Sequence, residues 1–232
     1  MDIVKNLTKL INTKHEFLIE NKNFIINYSK TLGRPNWTAY ELNNQILNSI
    51  KGGRREFVLD SNLISNQIYQ LKPNSQIFSK QWSRGHLVPS FLMSWDKSRN
   101  GSWYSTYKMS NIIPQNPKFN MGNWNKIERE TYQIVKQNSS PTSIITGCSN
   151  FWSDKKTRMK KIEKISSEMS NFIWIDDTIE FEYHIPSIMY QLVITPWEIL
   201  CWVGFNNQNQ KIYKINPATL EDIIGIRFDL SV

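Results

Sequence analysis

An α+β fold is the class this sequence predicts, and three observations predict it. Runs rich in β-branched and aromatic residues recur along the chain, at 37–42 (WTAYEL), 142–148 (TSIITGC), 187–194 (SIMYQLVI) and 198–205 (EILCWVGF). Other stretches carry apolar residues at helical spacing, most clearly 120–137, where Trp124, Ile127, Ile134 and Val135 form one stripe. Strands and helices are mixed without the regular βαβ alternation that a parallel sheet requires. The 232 residues, 40% of them hydrophobic and 12% aromatic, suffice for one well-packed domain with short appendages and exclude a disordered chain.

In chain order, residues 1–30 read as a helix, because Ile3, Leu7, Leu10, Ile11, Phe17 and Leu18 recur at near-helical spacing. Residues 1–34 therefore read as a helical extension before a single domain at 35–232. The run 37–42 reads as a strand, and 54–60 (RREFVLD) as a second one ending at Asp60, after the Gly52-Gly53 break. Residues 61–80 are polar and irregular, with a turn at Pro73-Asn74, and Pro89-Ser90 suits a helix entrance. The segment 108–113 (KMSNII) reads as a strand stopped by Pro114, and a helix follows from Asn120 to about Gln137. After the strand at 142–148, residues 153–171 are charged and read as a surface excursion. Its KKTRMKK cluster, 155–161, suits a solvated loop. Strands resume at 172–176 (FIWID) and in the two later runs, and a short helix closes at 217–224.

Lys and Arg number 28 against 20 Asp and Glu, a formal charge of +8, which favours polyanionic partners. Cys148 and Cys201 are the only cysteines. They exclude a disulfide framework and a zinc site of CxxC type, leaving one bridge or two buried thiols open. The amphipathic, lysine-interrupted N-terminus lacks the apolar run of a signal peptide, and no later segment could span a membrane. A soluble chain without a membrane partner is the expectation, and its compartment stays open.

Hydrolysis of a phosphodiester needs an activated water, a cation to neutralise charge on the phosphate, and a donor to hold it. A neutral His suits the first task, Mg²⁺ held by few protein oxygens the second, and an Arg fork the third. These parts lie close together here. Arg84 and His86 flank Gly85, and Asn111, Gln115, Asn120 and Glu128 follow. Asn120 and Glu128, a little over two helical turns apart if Asn120 opens the helix, fall on roughly one face. His15 and His184 stand in no motif.

Three blocks, SRGHLVP at 83–89, SNIIPQ at 110–115 and NMGNWNKIE at 120–128, together resemble the DNA/RNA non-specific endonucleases with a ββα-metal active site. That family includes secreted bacterial sugar-non-specific nucleases and mitochondrial endonuclease G, and its pattern is D-R-G-H-x-x-P, S-N-x-x-P-Q and N-x-x-x-W-x-x-x-E. The likeness extends from about residue 35 to the end. It implies a central, mostly antiparallel sheet flanked by helices, with an active-site helix starting near Asn120. It further implies His86 as general base, Asn120 as the direct ligand of Mg²⁺ (or Mn²⁺), and Glu128 orienting water beside the ion. Arg84 would stabilise the phosphate, Arg55 (or its neighbour Arg54) would do the same from the preceding segment, and Asn111 and Gln115 would line the substrate pocket. Ser83 stands where the family usually has Asp, so the charge around Arg84 and His86 should differ.

The expected activity is metal-dependent cleavage of DNA and RNA with little sequence preference. Two alternatives remain: a catalytically weakened nucleic-acid-binding relative, favoured only by Ser83, and a nuclease restricted to one polymer, such as RNA or double-stranded RNA. A homodimer and a protein inhibitor are open as further partners by family analogy.

Overall fold

A computed structural model describes residues 11–12, 16–47, 53–80, 82–98, 100–149, 178–180 and 183–229. The strands are β1 (Ile11–Asn12), β2 (Phe17–Glu20), β3 (Phe24–Ser29), β4 (Arg34–Leu42), β5 (Ser83–His86), β6 (Ile112–Gln115) and β7 (Thr142–Ser149). They continue with β8 (Thr178–Glu180), β9 (Tyr183–Ile185), β10 (Ile188–Ile194), β11 (Ile199–Phe205), β12 (Ile212–Lys214) and β13 (Arg227–Phe228). The helices are α1 (Asn44–Leu47), α2 (Ser61–Ser65), α3 (Ile77–Lys80), α4 (Ser102–Thr106), α5 (Pro117–Phe119), α6 (Asn125–Gln137) and α7 (Pro217–Ile224).

The frame is a seven-stranded sheet in the order β12-β11-β10-β7-β4-β3-β2. Every neighbouring pair in it runs antiparallel. Both faces are covered. On one, Trp37, Ile145, Tyr190, Leu192 and Val203 pack with Leu220 and Ile223 of α7. On the other, Tyr40, Ile144, Val193 and Trp202 pack with Val88, Leu92 and Met93, and with Ile127 and Val135 of α6. Burial on both sides explains why β3 and β10 are buried along their whole length and show no inside–outside alternation. Asn216 caps α7 by accepting from the Thr219 amide, and Gly225 ends that helix at φ 72°, a conformation glycine adopts without penalty.

Several expectations need correction. Residues 17–29 are not helical: β2 and β3 form a hairpin that extends the main sheet through β4, so this stretch is no helical extension of a separate domain. The Asn21 amide donates to the Phe24 carbonyl across the turn, and this Asn-Lys-Asn turn was the local hairpin signal. The segment 54–60 is extended but makes only a single bridge, Val58 to Lys108, because it crosses the surface with no strand edge beside it. Residues 61–80 hold two short helices, α2 and α3. After Pro89 the chain makes successive tight turns (Leu92 to Pro89, Met93 to Ser90, Ser94 to Phe91) rather than a helix. The segment 108–113 begins with a 3₁₀ turn, Met109–Asn111, and Pro114 lies inside β6. A proline is tolerated there because β5 and β6 form only a two-stranded sheet. The expected surface excursion at 153–171, the strand at 172–176 and the first ten residues of the N-terminal helix lie outside the described residues. Both cysteines are buried free thiols, and Cys148 Sγ accepts from buried Arg34 at 2.9 Å.

Candidate active site

His86 ends β5, which pairs antiparallel with β6 so that His86 stands opposite Ile112. Its imidazole lies in an aromatic corner, with the Phe57 ring centroid at 5.4 Å and the Tyr107 ring edge-on at 5.3 Å. Nε2 is buried and has no hydrogen-bond partner among the described residues. Burial among these rings pushes the His86 pKa down to about 4, so the ring is neutral at pH 7. Gly85 lies between Arg84 and His86 for a steric reason. It is ordinary strand, and a Cβ there would run into the Gln115 side chain, 2.6 Å from its Cβ.

The helix that should carry the metal ligand begins earlier than expected. Asn116 caps it, its side-chain oxygen accepting from the amides of Lys118 (3.0 Å) and Phe119 (3.3 Å), with Pro117 in the first turn. Asn120 is therefore not the cap. Its side-chain amide makes no hydrogen bond among the described residues and is available to a ligand. Residues Asn120–Trp124 form a π turn, with Gly122 at non-helical φ −98° and ψ −111°. In a regular helix eight residues would leave Asn120 and Glu128 about 80° apart. The kink at Gly122 breaks that regular rotation between the two residues.

Glu128 lies in the first turn of α6. Burial raises its pKa to about 8, opposed by the charge of Arg129, and the Tyr40 hydroxyl is pushed up by its own burial and then by the charge of Glu128. The core joins this helix to the histidine strand. Leu87 shares a cluster with Phe119 and Trp124, and Val88 shares one with Ile127. The chain neighbours of His86 thus pack against those of Asn120 in one cluster and of Glu128 in another.

The other expected residues divide. Asn111 is fully buried and spent on the backbone, accepting from the Val88 amide (2.9 Å) and donating to the carbonyls of Val88 (3.1 Å) and Thr106 (3.0 Å). It holds the loop behind His86 and has nothing left for a substrate, which corrects that expectation. Gln115 is fully buried with neither amide atom paired, pressed against Gly85. Arg84 donates through Nε (2.9 Å) and Nη2 to the Pro73 carbonyl and lies over Phe78 at 4.7 Å. Burial and then the nearby charge of Arg54 lower its pKa. Arg55 is exposed and stacks on Tyr104 at 3.5 Å.

A family profile described as DNA/RNA non-specific endonuclease matches residues 6–228. The chain belongs to the DNA/RNA non-specific endonuclease family. The match takes in the β2–β3 hairpin, which had shown no likeness by sequence motif. Among curated relatives, a zebrafish (Danio rerio) mitochondrial nuclease EXOG is 27% identical over 116 residues, covering 50% of this chain and 32% of the relative. A nuclease of the cyanobacterium Nostoc is 27% identical over 130 residues, covering 56% of this chain and 44% of the relative. The chain thus spans less than half the length of these two relatives. The solved structure of EndoG bound to EndoGI superposes with a TM-score of 0.66 at 15% identity, covering 93% of this chain and 86% of that one. The shared architecture is the ββα-metal fold, here β5, β6 and the helix entered at Asn116.

Positioning residues of this endonuclease-family site escaped the sequence reading. Asn206, at the end of β11, accepts from the Asn116 amide (2.7 Å) and donates to the carbonyls of Pro114 (3.0 Å) and Pro186 (2.9 Å). It fixes the capping residue that sets the helix start. The following turn braces the π turn, because the Gln210 carbonyl accepts from Asn123 Nδ2 at 2.8 Å. Gln210 itself takes a positive φ of 54°. Asp60 joins Ser110 (2.5 Å) and Lys108 (3.7 Å) to the cap of α2, anchoring the segment beneath Asn111. No motif marks these residues, whose partners are distant in sequence. Asn206→Ala leaves three backbone groups without their partner, so urea unfolding should show a loss of about 2–4 kcal/mol.

Proposed function

We propose that the protein is an endonuclease that hydrolyses the phosphodiester backbone of DNA and RNA with little sequence preference and depends on a divalent cation, Mg²⁺ or Mn²⁺. One observation carries the reading: the residues following a neutral, unpartnered histidine pack against the helix that presents the Asn120 amide and the buried Glu128 carboxyl.

The residues present fit such a cation. Asn120 offers an unbonded side-chain oxygen, and Glu128 is a carboxyl whose charge nothing nearby fully balances. Among the described residues no group of three His, Cys, Asp or Glu gathers as it would around zinc. A hard cation that keeps most of its waters suits this sparse, oxygen-only set, with Asn120 holding it and Glu128 orienting water beside it. When bound, it would neutralise charge building on the phosphate. His86 takes the proton from the attacking water, and the Phe57 and Tyr107 rings hold the imidazole in place. Arg84, Arg54 and Arg55 supply cations for phosphate oxygens. Arg54 and Arg84 raise a positive field together, and Ser83 adds no carboxylate to cancel it. Gln115 keeps the strand pair at its close spacing beneath the base.

Contacts of this kind go to phosphate and sugar rather than to base edges, which supports low sequence preference. The net charge of +8 supports polyanion binding that weakens steeply with salt. The inhibitor held by the EndoG neighbour makes a protein inhibitor a reasonable partner for this chain as well. Incubation of the protein with plasmid DNA and with a long RNA tests the reading. Both polymers should fall to short fragments with Mg²⁺ and survive in excess EDTA. Cleavage of one polymer alone would restrict the substrate class. Salt-sensitive binding without cleavage of either would replace the nuclease by a silent binding relative.

A further inference from the structure

Beside Glu128, a groove of about 630 Å³ opens between α6 and the turn that follows His86. Phe91 forms one wall, and Tyr132, with Asn125, Arg129, Glu130 and Gln133, lines the helix side. The volume lies within the range of about 300–1,000 Å³ typical of small-ligand sites. Phe91 and Tyr132 are only half-buried against the core, so each offers ring surface to the groove. Arg129 is exposed, donates to Asn125 Oδ1 at 3.3 Å, and lies close enough for its charge to act on Glu128. The groove is thus linked to Glu128 through Arg129, and its other wall, Phe91, follows His86 by five residues in the chain.

Resting on the nuclease reading above, we propose that this groove is a nucleotide subsite that takes an unpaired base next to the scissile phosphate and so favours single-stranded or locally opened substrate. The base lies against Tyr132 and Phe91, Arg129 meets the adjoining backbone phosphate, and Asn125 and Gln133 face the base edge. Stacking on an aromatic ring tolerates any base, since every base has a π face, so the subsite selects strandedness without selecting sequence. A base held in a duplex keeps its partner and its neighbours and cannot enter a groove of this width without being turned out of the stack.

Fluorescence anisotropy in EDTA, with a labelled single-stranded oligonucleotide and the matching duplex, tests this in the full chain. Tyr132→Leu should weaken single-strand binding about tenfold, the loss expected for one stacked base, and leave the duplex nearly unaffected. Tyr132→Phe keeps the ring and should bind as the parent does, which separates stacking from misfolding. Arg129→Gln should weaken single-strand binding and flatten its salt dependence. Unchanged single-strand binding by Tyr132→Leu, or equal losses on both forms, would overturn the subsite. Failure of the parent protein to cut any polymer in Mg²⁺ would instead remove the nuclease reading, and the binding measurement would be left standing on its own.

Discussion

Glu128→Gln should make the metal-free protein more stable at pH 8, by an amount on the order of a few kcal/mol that vanishes near pH 4.5. Burial raises the folded-state pKa of Glu128 from 4.5 to about 8. Between those values the folded chain keeps a proton that the unfolded chain releases. Native stability therefore falls as pH rises through that window, and the full loss is present above about pH 8. Glutamine does not titrate and escapes it. Thermal unfolding of parent and variant in EDTA, at pH 4.5 and at pH 8, reads the difference as a melting-temperature gap that opens only at the higher pH. Mg²⁺ at pH 8 should close part of the gap, because a cation beside the carboxylate favours its charged form. The same variant should cut nucleic acid poorly. A carboxyl that is costly to the empty protein and helpful to the loaded one is what a cation site requires.

The chemistry of the site was more legible in the sequence than its scaffold. Arg84, His86, Asn120 and Glu128 stand in short blocks whose spacing is fixed by one strand pair and one helix, so local sequence carries the pattern. The strands β4, β7, β10 and β11 were equally visible, being long and rich in Ile, Val and Trp. The hairpin at 17–29 was not, because both faces of β3 are covered and the period of two that marks a strand is lost there. An apolar run without that period matched helical spacing by chance. Asn120 was misplaced as the opening residue because an asparagine four positions earlier does the capping, and the two are indistinguishable by residue type. Asn111 was read as a substrate contact because a motif reports that a residue matters and is silent on which way its side chain faces. Only its three bonds to Val88 and Thr106 settle that. Asn206 lay beyond sequence reasoning altogether, since its partners Pro114 and Asn116 are about ninety residues away.

His86→Ala should lower the cleavage rate by a factor of about 10²–10⁴, the contribution of a positioned general base. The substitution removes the unpartnered Nε2 and leaves Asn120 and Glu128 in place, so metal and nucleic-acid binding should survive. A second signature identifies the environment of the ring. Its folded pKa is depressed from 6.5 to about 4, so the parent loses stability as pH falls from 6.5 to 4, when the unfolded chain takes up a proton that the folded chain refuses. The variant lacks that loss. Nicking of supercoiled plasmid in Mg²⁺ at pH 7, parent beside His86→Ala at equal concentration and matched binding, is the measurement that bears most directly on the site. The predicted result is rapid nicking by the parent, abolished by EDTA, and a variant slower by at least a hundredfold or so. A variant that nicks within a fewfold of the parent's rate would show that the proton is taken elsewhere, and the assignment of His86 as base would be wrong.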